Sequence, residues 1–88
     1  MQGNNMKALK FYATWCEPCK ALTKVIEGAA DRISMPIEEI DIEQNFDLAR
    51  QYGIRGVPAL VIVDDAGTEI KRQSGMMMEE KLLEFLEA

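Results

Sequence analysis

Residues 59–63 read ALVIV, five aliphatic positions with no polar break. A short run of this kind, bounded by turn residues, is a strand buried inside a sheet. Pro58 precedes it, and Asp64, Asp65 and Gly67 supply the turn of a hairpin that returns over residues 68–74. The remaining elements are arranged around that strand. Residues 7–12, KALKFY, alternate enough to form a short strand. Leu22, Val25, Ile26, Ala29 and Ile33 then recur at helical spacing, which predicts an amphipathic helix over residues 17–32 with Pro18 in its first turn. Residues 36–42, PIEEIDI, form a second strand. A short helix over 45–52 is capped by Asn45 or Gln44 and closed by Gly53. In the tail, Met78, Leu82, Phe85 and Leu86 share one face of a last helix. The order is βαβαββα, which defines an α/β domain with a four-stranded mixed sheet and three helices.

At 88 residues and 48% hydrophobic, the chain suits one globular domain, expected over residues 6–88. Residues 1–5 then form an N-terminal extension or tag remnant, with Met6 as the natural start. The net charge of −5 repels phosphate backbones and anionic lipids, so neither nucleic acid nor a membrane surface is an expected partner. No segment has the pattern of a secretory signal or the length of a membrane helix, and a cytoplasmic address is expected.

Both cysteines lie in FYATWCEPCK, at the junction of the first strand and first helix. A zinc site wants four ligands, and the chain has no third cysteine and no histidine. No metal or other cofactor is therefore expected. Haem attachment fails because Lys20 stands where a histidine is required. A passive disulfide across one helical turn closes too small a loop to stabilise much, and stable disulfides are rare in the cytosol. Redox exchange remains. A thiolate at a helix N-terminus meets free backbone N–H groups and the positive end of the dipole, so Cys16 is the expected nucleophile. Cys19, one turn deeper, is expected to resolve the mixed disulfide by attacking Cys16. Pro18 stiffens the turn between them, and Trp15 gives the site an apolar flank.

The segment WCEPCK resembles the thioredoxin active site, where W-C-G-P-C-K is the usual form. QYGIRGVPALVIV is similar to the thioredoxin segment around its cis-proline loop, and Gly75 matches a glycine of the next loop. The resemblance spans residues 7 to about 86. It implies a thiol–disulfide oxidoreductase that reduces protein disulfides and is recharged by a thioredoxin reductase-like flavoenzyme. It also implies a cis bond at Val57–Pro58 lying against the disulfide. Gly56 and Val57 would offer backbone to an extended substrate, with Gly75 and Met76 on the neighbouring loop. Because the chain begins at the strand that is second in typical thioredoxins, the expected fold is a minimal thioredoxin fold, and a monomer is the default.

The sequence departs from the pattern in several places. Glu17 replaces the usual glycine; it suits the helix dipole, yet beside Cys16 it disfavours the thiolate and raises its pKa. Lys10 stands where thioredoxins carry a buried proton-relaying Asp, and Glu39 stands where the facing lysine would be. Either the swapped pair is buried and Glu39 takes over the relay, or both side chains snorkel to solvent over the shortened sheet, the outcome the smaller fold favours. Lys24 replaces a helix-kinking proline. Two other functions compete. A glutaredoxin-like protein would be recharged by glutathione, although no tyrosine follows Pro18 and no Gly-Gly-Asp type loop is present. A non-catalytic docking module would use the methionine run 76–78 as an adaptable surface; against that, Met78 is expected in the core, with Met76 and Met77 lining the loop beside the site.

Overall fold

The computed structural model describes residues 5–87. The expected N-terminal extension lies, except for Asn5, outside the described residues. Four strands and three α-helices follow in the order β1 (Lys7–Tyr12), α1 (Glu17–Gly28), β2 (Ile37–Asp41), α2 (Phe46–Gln51), β3 (Ala59–Val63), β4 (Glu69–Ser74) and α3 (Glu79–Leu86), with a 3₁₀ turn at Ala30–Arg32. The sheet order is β2-β1-β3-β4. β1 and β2 are parallel, joined by the crossover through α1, and the other two pairings are antiparallel.

Strand alternation sends successive side chains to opposite faces. Ala8 of β1 and Leu60 and Ile62 of β3 pack with Leu22 of α1 and Leu82 and Leu86 of α3. Leu9, Phe11, Val61 and Val63 face the other way and meet Ala49 of α2. Helices thus cover both faces, and every residue of β3 is buried, as its unbroken apolar run requires. Among the described residues β2 and β4 pair on one side only. Glu38 and Glu39 on one edge strand, and Glu69 and Arg72 on the other, are exposed charges that discourage further pairing.

Local chemistry accounts for the ends. Gly53 closes α2 at φ +63°, and Gly67 turns the hairpin at φ +84°. Arg72 reaches from β4 to the Tyr52 carbonyl and to both oxygens of Glu69, and Tyr52 donates its hydroxyl to the Gly67 carbonyl. The guanidinium bonds hold the Glu69 carboxyl below its ordinary value of 4.5 and raise Arg72 in turn.

Three expectations need correction. α1 stops at Gly28 instead of continuing to residue 32, because glycine weakens the helix and the Ala29 N–H is shared between the Val25 and Ile26 carbonyls. Asn45 takes the cap position of α2, but its amide donates to the Asp41 carbonyl at 3.0 Å instead of accepting from the helix. The methionine run is out of phase with the prediction: Met77 is buried at 3% exposure, while Met76 and Met78 stand exposed at 40% and 67%. The helix begins only at Glu79, and Met78 caps it in extended backbone, so side chains alternate through the run.

Candidate functional site

β1 ends at Tyr12, and the chain turns through Ala13, Thr14 and Trp15 to place Cys16 at the N-cap of α1. The Cys16 N–H donates to the Ala13 carbonyl at 3.2 Å, which fixes that turn. Pro18 occupies the first helical turn, where a missing N–H removes no helical bond. Cys16 and Cys19 form a disulfide with Cα atoms 5.2 Å apart. The Cys19 N–H donates to Cys16 Sγ at 3.1 Å, so the sulfur serves as the side-chain cap of α1. An N–H aimed at this sulfur, together with the helix dipole, is an arrangement that favours a thiolate over a thiol.

The Val57–Pro58 peptide bond is cis, and the Val57 carbonyl lies 3.7 Å from Cys16 Sγ. In the disulfide Sγ carries no proton, so this is a contact; a reduced thiol could donate along the same line. The Gly75 N–H donates to the Pro58 carbonyl at 2.8 Å and joins the two loops. Gly75 holds φ +90°, a backbone that side-chain-bearing residues rarely adopt. Met76 follows it, exposed. Trp15 is 63% exposed, and its Nε1 donates to Glu43 at 3.0 Å, so the ring stands as a wall. A groove of about 350 Å³ runs from this ring past Ile42, Phe46, Arg55, Gly56 and Val57. Glu17 is exposed and pairs with Lys20 at 3.1 Å.

The swapped pair is partly unlike its expectation. Lys10 does not snorkel: it is 1% exposed, whereas the Glu39 side chain is half-exposed. The register explains this, since Lys10 lies between Glu39 and Leu60 on the sheet face that α1 covers. Its ammonium donates to Thr23 Oγ1 at 2.6 Å and to Glu39 Oε1 at 3.2 Å, and lies 5.2 Å from the Tyr12 ring centre. Thr23 in turn donates to the Cys19 carbonyl at 3.1 Å. These residues line a separate hollow of about 280 Å³ that opens beside Cys19.

The structure therefore gathers Trp15, Cys16, Cys19, Gly56, Val57 and Pro58 at one end of the sheet, with Gly75 bonded to that group and Met76 next in the chain. Lys10 and Glu39 meet behind Cys19. Sequence reasoning missed Thr23, Ile42, Glu43 and Phe46. Thr23 was detectable, since it sits four residues after Cys19 and so on the same helix face. The others come from the turn after β2 and the start of α2, which only the fold brings near. Among the described residues, no group of three or more Cys, Asp or Glu side chains gathers as a metal site would need.

A helix-capping cysteine joined to a second one turn away, against a cis-proline loop, is the site of a thiol–disulfide oxidoreductase. Comparison with known proteins agrees: the thioredoxin family model matches residues 1–88, and the chain belongs to the thioredoxin family. A thioredoxin of Chlamydia trachomatis is 34% identical over 79 residues, covering 89% of this chain and 76% of that one. A putative protein disulfide-isomerase of Schizosaccharomyces pombe is 36% identical over 81 residues, covering 89% of this chain but 16% of its own length. Among solved structures, a mutant thioredoxin from Halobacterium salinarum superimposes with a TM-score of 0.85 at 37% identity, covering 96% of this chain and 74% of that one.

Proposed function

We propose that the chain works as a reductant of disulfides in other proteins. One observation carries the reading: Cys16 Sγ accepts the Cys19 N–H at 3.1 Å at a helix N-terminus, an environment that prepares a nucleophilic thiolate. In the reduced state Cys16 attacks one sulfur of the target disulfide. A mixed disulfide forms, and the second target sulfur leaves as a thiolate. Cys19 then attacks Cys16 Sγ, the internal disulfide closes, and the first target sulfur leaves. Two electrons pass to the target. The groove beside Trp15, with the backbone of Gly56 and Val57, receives the extended segment that carries the target disulfide, and the adjacent loop of Gly75 and Met76, bonded to the Pro58 carbonyl, offers it further contacts. A thioredoxin reductase-like flavoenzyme returns the electrons, in a reducing compartment such as the cytoplasm, to a chain acting as a monomer.

The test is a redox titration followed by Trp15 fluorescence, since that ring stands next to Cys16. A reversible two-electron transition near or below about −270 mV supports a thioredoxin-type reductant, and one at about −200 to −230 mV points to recharging by glutathione. No transition overturns the reading.

A further inference from the structure

The mixed-disulfide stage leaves Cys19 as the only free thiol of the pair, and it is 2% exposed. Burial alone raises a thiol's pKa and stops it from ionising. Release of the target then stalls unless something favours the Cys19 thiolate. A carboxylate behind the thiol could take the proton directly. This chain holds a lysine there, and an ammonium has no lone pair with which to accept one.

Resting on the redox reading above, we infer that Lys10 is a positioning residue for the resolving step: its buried ammonium holds Cys19 as a thiolate, and Glu39 tunes how strongly. Three observations converge on this. Lys10 is buried on the sheet face that α1 covers, and Thr23 links its Nζ to the turn carrying Cys19 through contacts of 2.6 and 3.1 Å. Lys10 and Cys19 line the same hollow of about 280 Å³. The counter-charge is incomplete, because Glu39 is 3.2 Å from Nζ but half its side chain faces water, so screening weakens the carboxylate more than the enclosed ammonium. The other titratable groups around the hollow are Tyr12 on β1 and Lys20 on α1, and Lys20 is turned outward and paired with Glu17.

The step balances without another reagent. Cys19 loses its proton to solvent at the mouth of the hollow, and its sulfur attacks Cys16 Sγ. The Cys16–Cys19 bond forms, the bond from Cys16 to the target sulfur breaks, and that sulfur leaves as a thiolate. The target disulfide is the oxidant. Because the ammonium acts by charge, the rate should follow the ionised fraction of Cys19.

Reduced protein mixed with 5,5′-dithiobis(2-nitrobenzoate) in a stopped-flow instrument reports both halves of the reaction. The first release of coloured thiolate marks attack by Cys16, and the second marks resolution by Cys19. An opposite charge facing the same enclosed hollow shifts a pKa by about one unit. Lys10→Met should therefore move the pH midpoint of the second phase up by about one unit and slow it about tenfold at neutral pH. The first phase should stay within about twofold. Glu39→Gln, a half-exposed change that also serves if Lys10→Met does not fold, should move the midpoint down. A Glu39→Gln midpoint that stays or rises overturns the inference, as does a Lys10→Met midpoint that stays or slowing shared equally by both phases. A wild-type protein with no second release would instead refute the redox reading itself.

Discussion

Lys10→Met also makes a stability prediction whose sign follows from the burial of each partner. Removing one member of a buried ion pair costs about 3–5 kcal/mol when the other is left as an uncompensated buried charge. That condition does not hold here. Glu39 is half-exposed and recovers its hydration, and Thr23 keeps the Cys19 carbonyl as a partner. What disappears is the desolvation of an ammonium that is 1% exposed, which costs several kcal/mol, and the bonds that offset it. Methionine occupies nearly the same volume and contributes about 1.5–3 kcal/mol of apolar burial, against a loss of up to about 2 kcal/mol from the contact with the Tyr12 ring. The net expectation is a protein more stable by about 1–3 kcal/mol, within the range seen when buried ion pairs give way to apolar residues. At about 4–8 °C per kcal/mol for a domain of this size, the melting temperature should rise visibly. Far-ultraviolet circular dichroism of the oxidised protein is the suitable assay, since the exposed Trp15 reports the disulfide more than the core. A melting temperature lowered by about 5 °C or more would refute the reasoning and show that the buried ammonium stabilises the fold.

Leu22→Ala removes a fully buried side chain where α1 meets Leu60, Ile62 and Leu82, and should cost about 2.7–5 kcal/mol in urea denaturation. Glu17→Gly should lower the Cys16 pKa, followed by ultraviolet thiolate absorbance, but only by a few tenths of a unit, because an exposed carboxylate already paired with Lys20 is largely screened; an unchanged value would remove Glu17 from any tuning role. Glu69 has its pKa lowered by Arg72, so it binds fewer protons folded than unfolded below its ordinary 4.5. Its contribution is present above that pH and is lost as the pH falls through the lower folded value; Arg72→Ala should flatten this part of an acid-denaturation profile.

The parts of the fold legible in the sequence are those carried by local chemistry. ALVIV could only be an interior strand, and Cys16 followed by Pro18 marks a helix start whatever surrounds it. The loop before β3 was legible through its resemblance to known sequences, not through spacing. What escaped depends on partners far along the chain. Whether Lys10 lies in water or in the core turns on Thr23 of α1 covering that face of β1, and no pattern within KALKFY records it. The methionine run failed for a different reason: three identical residues hold no phase information, so one residue's uncertainty in where α3 begins exchanges inside for outside. Gly28 was a readable stop signal that the longer apolar periodicity outweighed.

That same run gives three chemically equal thioethers very different fates in an oxidising burst. Met76 and Met78 meet any peroxide arriving at this end of the molecule, whereas Met77 is enclosed among core side chains. Sulfoxide on the outer two adds polarity where water already is; on Met77 it would place a dipole among Leu22, Leu60 and Leu82. Peptide mapping after mild peroxide treatment should therefore find the outer pair oxidised first, with Met77 following only in molecules that have opened. The order of oxidation along the run thus follows enclosure, not the chemistry of the side chain.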